Sequence, residues 1–139
     1  MIMQQKPVTI LRDADGKAVG VMVETLDERF ALELHHIDSG KEYTWPDAMK
    51  RLKELGKDGF NEKQGKIITV YHEEIDAALE EAGGDKLGWE WAGGEYSGHR
   101  AWLYIPTTGS LDDRSRYSSY QLRPLLASKQ IEELLHRAV

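Results

Sequence analysis

Several short stretches of this chain carry residue types that do chemistry. His72-Glu73-Glu74-Ile75-Asp76 puts His72 and Asp76 one helical turn apart on a single face. A zinc protease needs His at both ends of such a stretch, with Glu after the first. Asp76 holds the second place and no third ligand is evident, so the stretch reads as an acidic helix start that suits the macrodipole. His35-His36 with Asp38 has metal-ligating types, but strand alternation sends the two imidazoles to opposite faces, out of reach of one ion. Asp13-Ala14-Asp15-Gly16 opens like a calcium loop, with Glu24 twelfth from Asp13. Lys17, Val19 and Val21 stand where ligands belong and both flanks read as strands, so this is a hairpin turn. Ser97-Gly98-His99 places a hydroxyl near an imidazole, but a triad is assembled in space rather than along the chain. Neither Gly83-Gly84 nor Gly93-Gly94 fits a phosphate loop. The chain has no Cys, which removes disulfides, thiolate metal sites and a cysteine nucleophile together.

The densest signal is Trp89, Trp91, Tyr96, Arg100, Trp102, Tyr104 and Tyr117. Aromatics with a polar handle, together with Arg, dominate recognition surfaces because their rigid faces stack on sugars, bases or peptide side chains. Large aromatics are also mostly inside, so part of this cluster belongs to the core.

The elements that would position these residues follow from periodicity and punctuation. Val8 to Arg12 and Ala18 to Glu24 read as a hairpin, and Leu26 to Arg29 as a loop. Phe30, Leu32 and Leu34 alternate as a strand, and Asp38-Ser39-Gly40 breaks the chain. A helix opens at Thr44-Trp45-Pro46-Asp47, with Thr44 as N-cap and Pro46 in the first turn. Trp45, Ala48, Met49, Leu52 and Leu55 share a face, and Gly56 suits the C′ position. Gly56 to Lys66 reads as loop, Ile67 to Tyr71 as a short buried strand, and His72 to Ala82 as a helix stopped by Gly83-Gly84. Strands follow at Trp89 to Trp91 and Ala101 to Ile105, then a polar loop over Asp112 to Ser119 and a last strand over Tyr120 to Leu126. Ser128 is expected to cap a final helix.

The chain has 139 residues, 40% hydrophobic and 30% charged, which is a globular composition for a single α+β domain over 1–139. Its net charge of -6 makes it a poor polyanion binder, so no nucleic-acid partner is expected. No long apolar run and no apolar signal core occur, which argues against a membrane partner and makes the cytoplasm the default location.

Taken in order, the motifs resemble bacterial C-type-lectin-like domains. Trp89 to Ser97 is similar to that family's aromatic strand and turn, and Ala101-Trp102-Leu103-Tyr104 to the strand after it. Tyr120-Gln121-Leu122-Arg123-Pro124 resembles its closing strand. Upstream, Tyr43 to Ala48 and Ile68-Thr69 with Glu73-Glu74-Ile75 resemble its two helix starts, and Gly20 to Val23 with Ala31-Leu32 its early strands. The likeness runs from about Val19 to Leu126 and leaves the last helix outside it. The wider superfamily includes formylglycine-generating enzymes, whose activity needs cysteines that this chain lacks.

The resemblance implies two helices packed on antiparallel strands, with long loops in the second half and a C-terminal helix added. It implies a structural role for Arg123. It puts Glu95, Tyr96, His99, Arg100, Arg114, Arg116 and Tyr117 on the ligand-facing side. The calcium-ligand motifs of lectins are absent, so the expectation is a calcium-independent, non-catalytic module that binds a glycan or protein, with no cofactor and no metal. Two alternatives stand beside it: a structural subunit that self-associates through an aromatic face, and an enzyme that uses His72, Glu73 or His99. Fold alone does not decide among them.

Overall fold

The computed structural model describes residues 6–137, apart from the side chains of Glu95, Tyr96 and Arg137. Val8–Arg12 (β1) and Ala18–Glu24 (β2) form the expected antiparallel hairpin. Its turn is local chemistry: Gly16 sits at φ 82, and the Asp13 carboxylate accepts the N–H groups of Asp15 and Lys17. Arg29–Glu33 (β3) adds to β2, so Arg29 belongs to a strand and not to the loop before it. A short 3-10 turn at Ile37–Gly40 leads to Tyr43–Thr44 (β4) and Trp45–Leu55 (α1), which ends on Gly56 in the left-handed region. Thr44 holds the N-cap position without a side-chain cap bond.

The expected strand at Ile67 to Tyr71 is a helix instead. Glu62–Val70 (α2) takes up that run and the second half of the expected loop. Asn61 Oδ1 accepts the Gln64 N–H at 2.8 Å, and Gln64 Oε1 accepts the Asn61 N–H at 2.9 Å. This reciprocal capping box satisfies two orphan donors and starts the helix despite the β-branched residues that follow. His72–Glu81 (α3) follows as expected.

Glu90–Ser97 (β5), Arg100–Ile105 (β6) and Ser110–Ser115 (β7) form a second antiparallel sheet. The first half of the expected loop over Asp112 to Ser119 is therefore strand, Asp112 to Ser115, paired with β6. Ser119–Tyr120 (β8) pairs with β4, and Ser128–Arg137 (α4) closes the chain. Ser128 is the first helical residue of α4, not its cap. The N–H of Ala127, one place earlier, donates to Gln130 Oε1. Among the described residues the architecture is α+β with four α-helices and three small antiparallel sheets, one helix more than the expected two and C-terminal third. Among the described residues no helix is long and apolar enough to cross a membrane.

Both larger sheets are covered on both faces, as the period of a strand requires. Val21, Val23, Phe30 and Leu32 turn inward against Ile68 of α2 and Ile75 and Leu79 of α3. The alternate residues Met22 and Ala31 meet Ile131 and Leu134 of α4. In the second sheet Trp91, Ala101, Leu103 and Ile105 pack on Trp45, Ala48 and Leu52 of α1, while Tyr104 faces the α2–α3 side. The indoles lock this layer: Trp45 Nε1 donates to Ala92 O at 3.0 Å and Trp91 Nε1 to Tyr43 O at 2.7 Å.

The expected last strand, Tyr120 to Leu126, is strand only at its first residue. Its residues bond to several different parts of the chain. Gln121 exchanges bonds with Trp89 and Trp91, Leu122 O accepts from Ile37, Pro124 O from Glu33, and the Leu125 and Leu126 N–H groups donate to Asp58 and Ala31. The segment is a seam between the two sheets.

Arg123 lies in that seam, 0% exposed, facing an equally buried Glu90. Its Nε donates to Glu90 Oε1 at 3.0 Å, Nη1 to Glu33 O at 2.7 Å, and Nη2 to Asp85 O at 2.7 Å and Lys86 O at 3.1 Å. His36 Nε2 lies 2.7 Å from Glu90 Oε2, and the Gly88 N–H donates to the same oxygen at 2.8 Å. A proton on His36 Nε2 satisfies that contact, because a carboxylate only accepts. Burial raises the Glu90 pKa, but the Arg123 charge and the His36 bond outweigh it and hold it below the usual value.

Removing Arg123 leaves a carboxylate buried without its counter-charge. Arg123→Met is expected to destabilise the fold by about 3–5 kcal/mol in urea unfolding. Pairing it with Glu90→Leu should restore only part of the loss, because the Glu33, Asp85 and Lys86 carbonyls still lack their donor. Asn61→Ala, by contrast, should lower stability by about 1 kcal/mol, the usual worth of an N-cap.

Candidate functional site

The second sheet brings most of the sequence-derived site residues to one end. The β5–β6 hairpin turns at Gly98-His99, and register sets Arg100 opposite Ser115 and Ala101 opposite both Glu95 and Arg114. The side chains of Glu95 and Tyr96 lie outside the described residues. His99 is exposed in the turn, and its carbonyl accepts the Arg116 N–H at 3.0 Å. Tyr117, just past β7, is 72% exposed.

The three arginines here are held by their neighbours. Arg100 pairs with Asp113 across β6 and β7. Arg114 Nη1 donates to Asp112 Oδ2 at 2.9 Å and to Asp113 O at 2.8 Å. That bond, helped by the Asp113 N–H, holds the Asp112 carboxyl below its usual range and raises Arg114. Arg116 Nη1 donates to Gly98 O at 2.8 Å, and its guanidinium lies 4.5 Å from the Trp45 ring centre, a cation–π distance. The Trp45 N–H in turn donates to Arg116 O at 3.0 Å, so the first turn of α1 and the sheet end are tied twice. The arrangement is a pre-set polar surface with one aromatic projecting from it, which lowers the ordering cost of a contact.

The remaining aromatics divide between core and surface. Trp91 and Tyr104 are buried and Trp102 is half-buried. Trp89, at the surface, stacks on Tyr120 at 5.9 Å between ring centres and 13° between planes, while Trp91 meets the same ring edge-on at 5.1 Å. Tyr120 is thus the hinge of the cluster, although the sequence reading left it in the closing strand.

A second group escaped the sequence reading. Asp38, Ser39 and Gly40 have φ values of 51°, 58° and 86°, three successive left-handed residues. Arg51 of α1 grips the Asp38 carboxylate with Nε at 2.9 Å and Nη2 at 3.0 Å, and the Tyr43 hydroxyl donates to it as well. These bonds, Arg51's first, bring the Asp38 pKa down to about 2. The turn borders a cleft of about 290 Å³ that Lys41, Tyr43, Arg51 and Ser119 help to line. The signal available in sequence was the Asp-Ser-Gly break itself, which carried no hint of its partner thirteen residues on.

His35 and His36 lie past the end of β3, where strand alternation does not apply; one is exposed and one buried, and the Nδ1 atoms of both approach Asp85 Oδ2, at 3.4 and 3.5 Å. Among the described residues no group of three His, Asp or Glu is placed to hold a metal ion. His72 Nδ1 donates to the Thr69 carbonyl oxygen, 2.9 Å away, and the ring rests against Gly109 beyond the Ile105 end of β6. His99 lies beyond the Arg100 end of that strand, about 16 Å away by strand rise. The two imidazoles do not share a site.

No family model, curated protein or solved structure matches this chain.

The Asp38 grip sets a pH dependence. The folded pKa is depressed from 3.8 to about 2, so the group contributes stability above pH 3.8 that is lost as pH falls through 2. Carboxyl-detected NMR titration should find Asp38 ionised at pH 3, and Arg51→Ala should return its midpoint towards 3.8.

Proposed function

We propose that this protein is a C-type-lectin-like recognition module, non-catalytic and calcium-independent, that takes a glycan or protein ligand on the Arg100–Tyr117 end of its second sheet. The observation that carries the reading is Tyr117, 72% exposed beside an Arg116 already fixed by Gly98 and Trp45. A ring in water next to an immobilised cation gives a stacking face and polar donors without further ordering. The class assignment is supported by the order of elements. Helices α1, α2 and α3 precede the second sheet, and β8 returns to pair with β4, Tyr43 against Tyr120. A self-associating subunit is favoured less, because most of the aromatic cluster that would form its face is turned inward, with Trp91 and Tyr104 buried and Trp102 half-buried. The separation of His72 from His99 likewise weakens the enzyme alternative.

A glycan array probed with calcium and again with chelator tests the reading. Binding should survive the chelator and disappear in Tyr117→Ala, whose unfolding free energy should stay within about 0.5 kcal/mol of the parent. A silent array removes the glycan ligand. Loss of folding in Tyr117→Ala removes the site.

A further inference from the structure

A roomier concavity than the one beside Asp38 lies elsewhere. A cleft of about 860 Å³ opens between the C-terminal end of α1, the loop that follows it, the middle of β5 and the start of α4. Its size is that of a small-ligand site, and none of the sheet-end arginines lines it.

One wall is a built irregularity. Trp91 pairs with Leu103 and Glu95 with Ala101, so β5 spends two more residues than β6 over the same stretch. The surplus, at Gly93-Gly94, leaves the sheet, and the Gly93 N–H donates to Phe60 O at 2.6 Å. A Cβ on Gly93 would come within 3.2 Å of the Gly59 carbonyl oxygen, tighter than an ordinary side-chain contact, so glycine suits that approach. Gly94 lines the cleft with bare backbone, and a Cβ there would meet no protein atom within 4 Å. Bulges of this kind commonly sit next to functional sites.

The lining has a definite chemistry. Its floor is apolar, with Phe30, Leu52 and Ile131. Its charged members are Arg29, Lys53 and Lys57 against a single carboxylate, Asp58, on a chain whose net charge is -6. Arg29 pairs with Glu24 and Glu132, and Lys57 with Glu33. Lys53, in the last turn of α1, makes no ion pair among the described residues. With Arg29 and Lys57 neutralised by those glutamates, Lys53 is the cation left beside the apolar floor, an arrangement that suits a ligand with an apolar body and one anionic head.

We infer that this cleft binds a small organic anion, a carboxylate or sulfonate on a flat or aliphatic apolar body, with Lys53 facing the head group and the Gly94 backbone leaving room for the body. The site is independent of the sheet-end surface and stands or falls apart from it.

Anilinonaphthalene sulfonate, whose fluorescence rises on apolar contact, is a suitable probe, titrated into the folded protein with near-ultraviolet circular dichroism checked at saturation. Saturable binding of one equivalent is expected. Lys53→Glu should weaken it at least about fivefold, the scale of one exposed ion pair, and phenylnaphthylamine, which lacks the sulfonate, should bind weaker by a similar factor. Gly94→Leu should abolish binding with the thermal midpoint unchanged. Absence of saturable binding up to about 1 mM overturns the inference. So does unaltered binding in Lys53→Glu, a surface change that tests the site even where Gly94→Leu perturbs folding. Equal affinity for the uncharged probe overturns the assignment of an anionic ligand.

Discussion

A guanidinium can be buried only where nearly all its donors find acceptors and its charge finds a partner. Arg123 meets that condition at one place, where the Glu33, Asp85 and Lys86 carbonyls converge on the Glu90 carboxylate. Those groups come from β3, from the connection after α3 and from the start of β5, so one side chain fixes the mutual placement of both large sheets. Hydrophobic contact alone would leave that placement adjustable, since apolar surfaces slide at little cost. The directional bonds of Arg123 remove the freedom. His36 and Gly88 complete the shell around Glu90 and leave its second oxygen satisfied.

The sheet-end surface inherits its rigidity from this arrangement. β5 starts at Glu90, so the strand that carries Trp91 into the core is anchored where the ion pair lies. Trp91 and Trp45 then exchange indole bonds between β5 and the β4–α1 corner, and Arg116 stacks on the same Trp45 ring. A continuous path of short contacts thus joins the buried pair to the residues that face solvent at the far end of the strand.

How much of this could be read from the sequence depended on how local the cause was. The β1–β2 hairpin and α1 were legible because Asp13, Gly16, Pro46 and Gly56 act within a turn of themselves. α2 was misread although its cap, Asn61 with Gln64, stood in the sequence, because the Ile67-Ile68 run has strand chemistry and only Ile68 reaches the core. β7 was invisible: Ser110–Ser115 is polar and without alternation, and it is a strand only because β6 lies beside it. The residues that the resemblance put on one side do come to one end of the second sheet, because β5, β6 and β7 follow one another as antiparallel neighbours. Their partners were not legible, since Arg100 with Asp113 and Arg116 with Trp45 are set by register and packing. The Gly93-Gly94 pair was noticed as a doublet, but its meaning lay in a count of residues against β6.

The seam has a consequence for how the protein is made. The contacts that unite the sheets join residues near position 123 to residues near 33, 36 and 90, separations of 90, 87 and 33 along the chain. Such non-local closure is slow, because the loop entropy is lost before the contacts form. A nascent chain growing from its N-terminus can complete the first hairpin and the helices early, but with residues 119–126 still inside the ribosomal tunnel its two sheets have nothing to align them. Assembly of the whole waits until that segment emerges, and until then the apolar faces of both sheets are what a chaperone would meet.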